Sequence, residues 1–438
     1  MLTACNKDDE YTEVPNENVL DNALSDLLDV ASDGEGASFF ILPESNDFVN
    51  IPQDPLNPIS QEKVALGKLL LHETALGGAP KMGEQTLGQY TCASCHPVAS
   101  GFSSGLRQGI GEGGIGFGLK GEGRIINTAM PIDSVDLQAV KPPTLLNLAY
   151  QDVMLWDGKF GGTGTNVGTE ANWEEIPENA EGFQGIEVQA MKGQNAHRLL
   201  VDENFVNTYG YKELFDAAFP DVPLEDRYSR KTGALAIAAY NRTLLANEAP
   251  WQKYLKGDKN ALTTPEKEGA IVFFGQGKCY ECHTGPALKD KEFHAFGMED
   301  FEISGETVVL DLVKFEDVKK GRGGFTKNAS DDYKFKTPTL YNLVDAKFFG
   351  HGGTFNSVKS VVEYKNSGVP QSNEVTTANL ASQFGTINLD DAQITALTLF
   401  LENSLRDPNL IRYVPESINS GFCFPNNDDQ SKADLGCN

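Results

Sequence analysis

The chain has 438 residues, enough for two or three domains that each bury a core of their own. Its 36 basic against 62 acidic residues leave a formal charge of −26, a field that repels phosphate backbones, excludes nucleic acid as a partner and suits a basic redox protein. No stretch approaches the roughly 18 to 20 consecutive apolar residues that cross a bilayer, so no membrane span is expected.

In chain order, Leu2-Thr3-Ala4-Cys5 has the apolar, small, small, Cys sequence that ends a bacterial lipoprotein signal, and the acidic tract Asn6-Lys7-Asp8-Asp9-Glu10 follows it. Residues 1–45 therefore read as a lipoprotein N-terminus, with a lipid on Cys5, and a tether containing one short helix from Val19 to Val30. Ser60-Gln61-Glu62-Lys63 caps a helix whose apolar positions are Val64, Leu66, Leu69 and Leu70. The Gly-rich stretch from Gly101 to Gly123 lacks a strand-to-helix setting, so it reads as a loop around a prosthetic group and not as a nucleotide loop. Helices are predicted from Arg230 to Asn247 and, after Thr264-Pro265-Glu266-Lys267, through Ala270, Ile271, Phe273 and Phe274. Strand-like alternation is confined to short pieces such as Glu306 to Val313. A last helix runs from Asp390 to Asn403, capped by Asn388 or Asp390.

Cysteine placement is the most informative feature. Four of the 7 cysteines fall in Cys92-Ala93-Ser94-Cys95-His96 and Cys279-Tyr280-Glu281-Cys282-His283, the C-x-x-C-H pattern of c-type haem attachment. Two thiols one turn apart add to the two vinyl groups of one porphyrin, and the adjacent imidazole reaches the iron. A four-cysteine zinc site would want its pairs closer together, and a thioredoxin-like dithiol would want a βαβ setting. Cys423 and Cys437 lie in a Gly/Pro/Asn/Asp-rich tail and are expected to form a disulfide, which fits export. The surroundings of the two motifs repeat. Pro143-Thr144-Leu145-Leu146-Asn147-Leu148 is echoed by Pro338-Thr339-Leu340-Tyr341-Asn342-Leu343, and Trp156-Asp157-Gly158-Lys159-Phe160 stands where His351-Gly352-Gly353-Thr354-Phe355 stands in the other half. The expected fold is mainly α: two cytochrome c-like haem domains, 46–260 and 261–415, as an internal duplication with long irregular loops, then a Cys-containing tail, 416–438.

These motifs resemble those of the bacterial di-haem cytochrome c peroxidases and of their relatives that oxidise tryptophan in partner proteins. The likeness runs from about Pro55 to Pro408. It implies two covalent haems c, with Cys92, Cys95 and His96 holding the one that reacts with peroxide and Cys279, Cys282 and His283 holding an electron-transfer haem. Trp156 falls on the tryptophan that relays electrons between them. The resemblance also implies a calcium ion at Asn127, with carbonyls near Ala346 and Phe348, an electron donor such as a small cytochrome or cupredoxin, and in some members a homodimer. Combined with Cys5, it suggests an exported, lipid-anchored protein of the periplasm or outer membrane of a Gram-negative bacterium. The leading expectation is a peroxidase that reduces hydrogen peroxide to water. The alternatives are an oxidase that spends peroxide on a side chain of a partner protein, and an electron carrier without enzymatic activity.

The sequence departs from the family pattern twice. Members supply a Gln and, about ten residues on, a Glu to move a proton between the peroxide oxygens. Gln189 resembles the Gln, but the place of the Glu is taken by His197, which reads as a proton shuttle, a sixth iron ligand or a surface residue. The second departure lies fourteen residues after His351, where the family places the distal ligand of the second iron and this chain has Lys365, beside Tyr364. Lys365 reads as an amine ligand or a solvated helix residue, with Met298 as the competing thioether. His72 and His294 read as packing or haem-carboxylate partners.

Overall fold

The computed structural model describes residues 17–301, 308 and 310–437, so Cys5 and the lipoprotein tract lie outside the described residues. The long helices, numbered here in chain order, are α1 (Glu17–Ala31), α2 (Gln61–His72), α3 (Gly185–Ala196), α4 (Arg230–Arg242), α5 (Thr264–Phe274), α6 (Val358–Ser367) and α7 (Asp391–Leu399). Among the described residues the only sheets are two two-residue ribbons, Gly114–Ile115 with Ile125–Ile126 and Phe293–His294 with Phe335–Lys336. Helix starts follow from local chemistry. Ser60 accepts from the Lys63 amide, Thr263 and Glu266 form a capping box ahead of Pro265, and Asp390, not Asn388, accepts from the Gln393 amide.

Two apolar cores result, and each is built around a glycine-mediated helix crossing. In the first, α2 crosses α4 where a Cβ on Gly67 would lie 2.0 Å from the Ala236 carbonyl oxygen and 2.8 Å from Tyr240 Cβ. In the second, α5 crosses α7 where a Cβ on Gly269 would lie 2.0 Å from the Ala396 carbonyl oxygen and 2.8 Å from Phe400 Cβ. Gly269→Ala is expected to destabilise by about 3 kcal/mol or more, because backbone must yield and no flexible side-chain end can. Thermal unfolding of the variant checks this, and an unchanged Tm would show that the crossing relaxes freely.

The repeated Pro-Thr-Leu-x-Asn strings have a shared structural job. Asn147 and Asn342 sit in the left-handed region at φ 58° and 57°. Asn147 receives the Ala246 amide on Oδ1 and gives its own amide to the Leu244 carbonyl; Asn342 does the same with the Asp407 amide and the Leu405 carbonyl. Each therefore captures the chain leaving a core helix. This capture is why α4 stops at Arg242 and does not run to the predicted Asn247.

Two further expectations change, and the disulfide expected in the tail is present. The helix predicted at Val19 to Val30 extends over Glu17–Ala31 and is no free tether: Leu24 and Leu28 are buried in the second core, and Asp21 meets Lys267 at 2.9 Å. Burial of that apolar stripe pulls residues from the chain start onto the far half. The tail returns to the first half, where Ser94 donates to the Pro425 carbonyl at 2.9 Å and Arg124 meets Asp428, with Cys423 and Cys437 bonded. The strand-like piece at Glu306 to Val313 lies in part outside the described residues, and its end, Leu312 and Val313, opens the helix Leu312–Lys319 because Asp311 caps it.

Candidate haem centres and the cavity at the second motif

Each C-x-x-C-H motif folds as a tight turn. Cys95 gives its amide to the Cys92 carbonyl at 3.2 Å, and in the second motif Cys282 and His283 both give theirs to Cys279 at 3.3 and 2.8 Å. The turns bring the paired thiols together, and all four are unbonded. Each histidine donates from Nδ1 to a backbone carbonyl at 3.1 Å, His96 to Phe102 and His283 to Leu288. Phe102 and Leu288 both adopt positive φ, 53° and 47°, as the tight loop requires. The loops are pinned from behind by Thr144, donating to Gly101 O, and by Thr339, donating to Ala287 O, each at 2.7 Å. Burial pushes both imidazoles down to about 4, so each is neutral near pH 7 with Nε2 as its free lone pair. That is the protonation state an iron ligand needs.

A cavity of about 290 Å³ runs from Cys279, Cys282 and His283 to Ser103, Pro143 and Gln189 in the first half. The donor set fits c-type haem at both motifs, with paired free thiols and a neutral imidazole with a free Nε2 at each; the second motif adds an apolar cradle and, nearby in sequence, the buried Lys289 ammonium, which has no hydrogen-bond partner. Cys282 also lies within 4.8 Å of Asp290 and His294, but a thioether to haem removes it as a thiolate ligand, so this trio is no metal site.

The structure places the other predicted residues unevenly. Trp156 lines the cavity at the junction of the halves, its indole N–H donating to Lys141 O at 2.8 Å and its ring edge-on to His351 at 6.4 Å. His351 stacks on Phe335 at 3.6 Å and donates to Asp300 at 3.0 Å. Gln189, on α3, lines the cavity. His197 ends the same helix but stands outside that lining, about one-third exposed, with Nδ1 3.4 Å from Asp136 Oδ2. Its field reaches His96 and helps depress that imidazole. Asp136 is itself held by Arg198 at 2.6 Å, and Arg198 also grips the buried Glu112 at 2.6 Å.

Lys365 and Met298 both line the cavity at the second motif. The reading of Lys365 as a solvated helix residue does not hold: its ammonium lies 3.4 Å from the Phe296 ring centroid, and burial lowers its pKa to about 8. The helical turn that brings Lys365 inward commits Tyr364 elsewhere, its hydroxyl donating to Phe296 O at 2.6 Å. Asn127 turns its Oδ1 onto the Ala129 amide at 3.0 Å. His72 is buried with Nδ1 on Lys68 O at 2.8 Å and the Phe424 ring beside it, a packing role. His294 lines the cavity and meets Asp290 at 3.1 Å. Sequence reasoning missed Asp136, Arg198 and the buried lysines Lys141, Lys289 and Lys336. For Lys141 and Lys336 a signal existed: both stand two residues before a Pro-Thr-Leu string.

A mainly helical chain with two C-x-x-C-H turns that each present a neutral imidazole, and with an indole lining the cavity at the junction of the halves, has the build of a di-haem c-type redox protein. Residues 61–260 match the di-haem cytochrome c peroxidase family. The chain is 29% identical over 340 residues to cytochrome-c peroxidase IdrP1 of Pseudomonas sp. strain SCT, covering 73% of this chain and 75% of that one. It is 26% identical over 374 residues to the methylamine utilization protein MauG of Methylorubrum extorquens, covering 85% of each. Its fold is similar to the crystal structure of a MauG-like protein associated with microbial copper homeostasis, with a TM-score of 0.57 at 20% identity over 84% of this chain and 96% of that one. The chain thus matches the di-haem cytochrome c peroxidase family over residues 61–260, and it is an oxidoreductase of the cytochrome-c peroxidase type.

Proposed function

We propose that the chain reduces hydrogen peroxide to water at the His96 centre, with electrons arriving from an external donor protein by way of the His283 centre. The observation that carries this reading is that Gln189, Trp156 and His283 line one cavity. When bound, the haems supply the iron chemistry that takes up peroxide and passes electrons one at a time. The chain's own residues do the rest. The Gln189 amide, both donor and acceptor, orients a peroxide molecule. His197, with Nδ1 anchored on Asp136, keeps Nε2 to carry a proton, and its partial exposure lets it exchange that proton with water. Each peroxide consumes two protons and two electrons and yields two waters. Trp156, fixed through its N–H, fills the gap between the halves with an aromatic ring. The matched Asn, Thr and His contacts support reading the two halves as copies of one haem-binding unit.

Lys365 favours a second reading, in which peroxide is spent on a side chain of a partner protein. An amine ligand would stabilise Fe(III) and make the second haem a poor high-potential electron store. Matured holoprotein, shown by pyridine haemochrome to carry two haems c per chain, decides between the readings. Peroxide-dependent oxidation of a reduced small cytochrome is expected from the first. Peroxide consumption that leaves the cytochrome reduced would transfer the case to the second.

The same proposal includes export and a lipid on Cys5, supported by the Cys423–Cys437 disulfide. Calcium at Asn127 would require Oδ1 to leave the Ala129 amide, and metal analysis of the holoprotein tests it.

A further inference from the structure

In a chain of formal charge −26, buried cations have carboxylates to choose from. Arg124 meets Asp428 at 3.3 Å, Arg242 meets Glu187 at 2.6 Å and Lys267 meets Asp21 at 2.9 Å. Lys141, Lys289 and Lys336 are different. Lys141 donates only to uncharged oxygens, Ser103 Oγ at 2.7 Å and Pro142 O at 3.3 Å. Lys336 likewise donates to Gln151 Oε1 and to Val153 O at 3.1 Å. Lys289 donates to nothing. Burial lowers Lys141 to about 8 and Lys336 to about 7, and it also holds Lys289 well below the usual lysine range. The carboxylates whose field reaches Lys289 are engaged elsewhere, Asp290 with His294 and Asp152 with Thr165, and Lys291 adds a like charge. Asp152 and Asp157 are also the acids whose field reaches Lys336. An unpaired buried ammonium costs several kcal/mol of desolvation, on the order of what a whole domain has to spare. A missing anion is therefore indicated.

Position identifies that anion. Lys141-Pro142-Pro143-Thr144-Leu145 and Lys336-Thr337-Pro338-Thr339-Leu340 are matching strings, and both lysines line the cavity. In each string the threonine three residues on pins the loop behind the haem-ligand histidine of its own half. The same hydrogen bond thus holds lysine and histidine in register twice. Lys289 follows His283 by six residues and, although outside the residues that line the cavity, is near enough to Lys336 to feel its charge, which makes it a second cation for the second site. A haem brings two carboxylate arms into such a place.

We propose that Lys141 seats a haem carboxylate in the first half and that Lys336 and Lys289 together seat one in the second. This rests on the reading that both motifs carry haem. The pairing is unequal, so the second centre has one more positive charge beside its carboxylate, which favours the reduced iron.

Potentiometric titration of holoprotein variants tests it. Lys289→Met removes a cation that makes no hydrogen bond to the chain itself, and Lys336 stays to hold the carboxylate, so folding and both haems are expected to survive. The reduction equilibrium constant of the second haem should fall about tenfold, a midpoint about 59 mV lower for a one-electron couple. Lys336→Met should act in the same direction and Lys336→Arg should restore the wild-type value, whereas Lys141→Met should lower the first haem instead. Unchanged midpoints in haem-loaded Lys289→Met and Lys336→Met would overturn the proposal alone. Absence of covalent haem from the wild type, seen by pyridine haemochrome, would overturn the family reading beneath it.

Discussion

Replacing His197 with Gln is expected to lower peroxide turnover by about 100-fold while leaving two haems per chain, because a positioned proton carrier contributes at least that much and an amide cannot carry a proton. The fold should tolerate the change: the side chain is about one-third exposed, and Asp136 keeps its 2.6 Å ion pair with Arg198. The variant separates the three roles that the sequence allows. A sixth iron ligand would, on removal, open the site and raise the high-spin fraction and the rate. A surface residue would leave the rate unchanged. Gln189→Leu, which removes orientation but no titrating group, should raise KM more than it lowers kcat. Steady-state kinetics with a reduced cytochrome, alongside the resting spectrum, read all of these outcomes.

Lys365→Met is expected to raise the midpoint of the second haem by a few hundred millivolts, within the ≈ 0.8 V that axial ligation spans, and to introduce the near-infrared band of a thioether–Fe(III) pair. The variant should fold, since Met is similar in length and removes a charge that burial penalises. Met298→Leu is the companion test. If Lys365 supplies the ligand, losing the Met298 thioether leaves spectrum and midpoint where they were. If Met298 does, Met298→Leu lowers the midpoint and Lys365→Met leaves it in place.

Much of this site was legible before any coordinates. Haem attachment needs only five consecutive residues, and its spacing is local covalent chemistry, so Cys92 to His96 and Cys279 to His283 could be read directly. Helix starts were equally local, since Ser60, Thr263 and Asp390 act within a single turn. Where helices stop was less so: α4 ends because Asn147, nearly a hundred residues earlier, captures the chain beyond it.

By itself, then, the amino-acid order determined two haem-binding motifs, a mainly helical body, a disulfide-tied tail and a likeness to one family. Folding alone decided which groups meet. Periodicity told that α1 had an apolar face but not that the face belongs to the second core, and nothing local told that Ser94 would be covered by Pro425. Lys365 and Tyr364 stood side by side as donors on paper; one hydrogen bond to Phe296 O took Tyr364 away and left Lys365 lining the cavity beside Met298. The physical reason is that helical spacing and covalent motifs act over a few residues. Which side chains face a shared cavity is instead the summed outcome of packing between segments hundreds of residues apart, and no short window of sequence contains that sum.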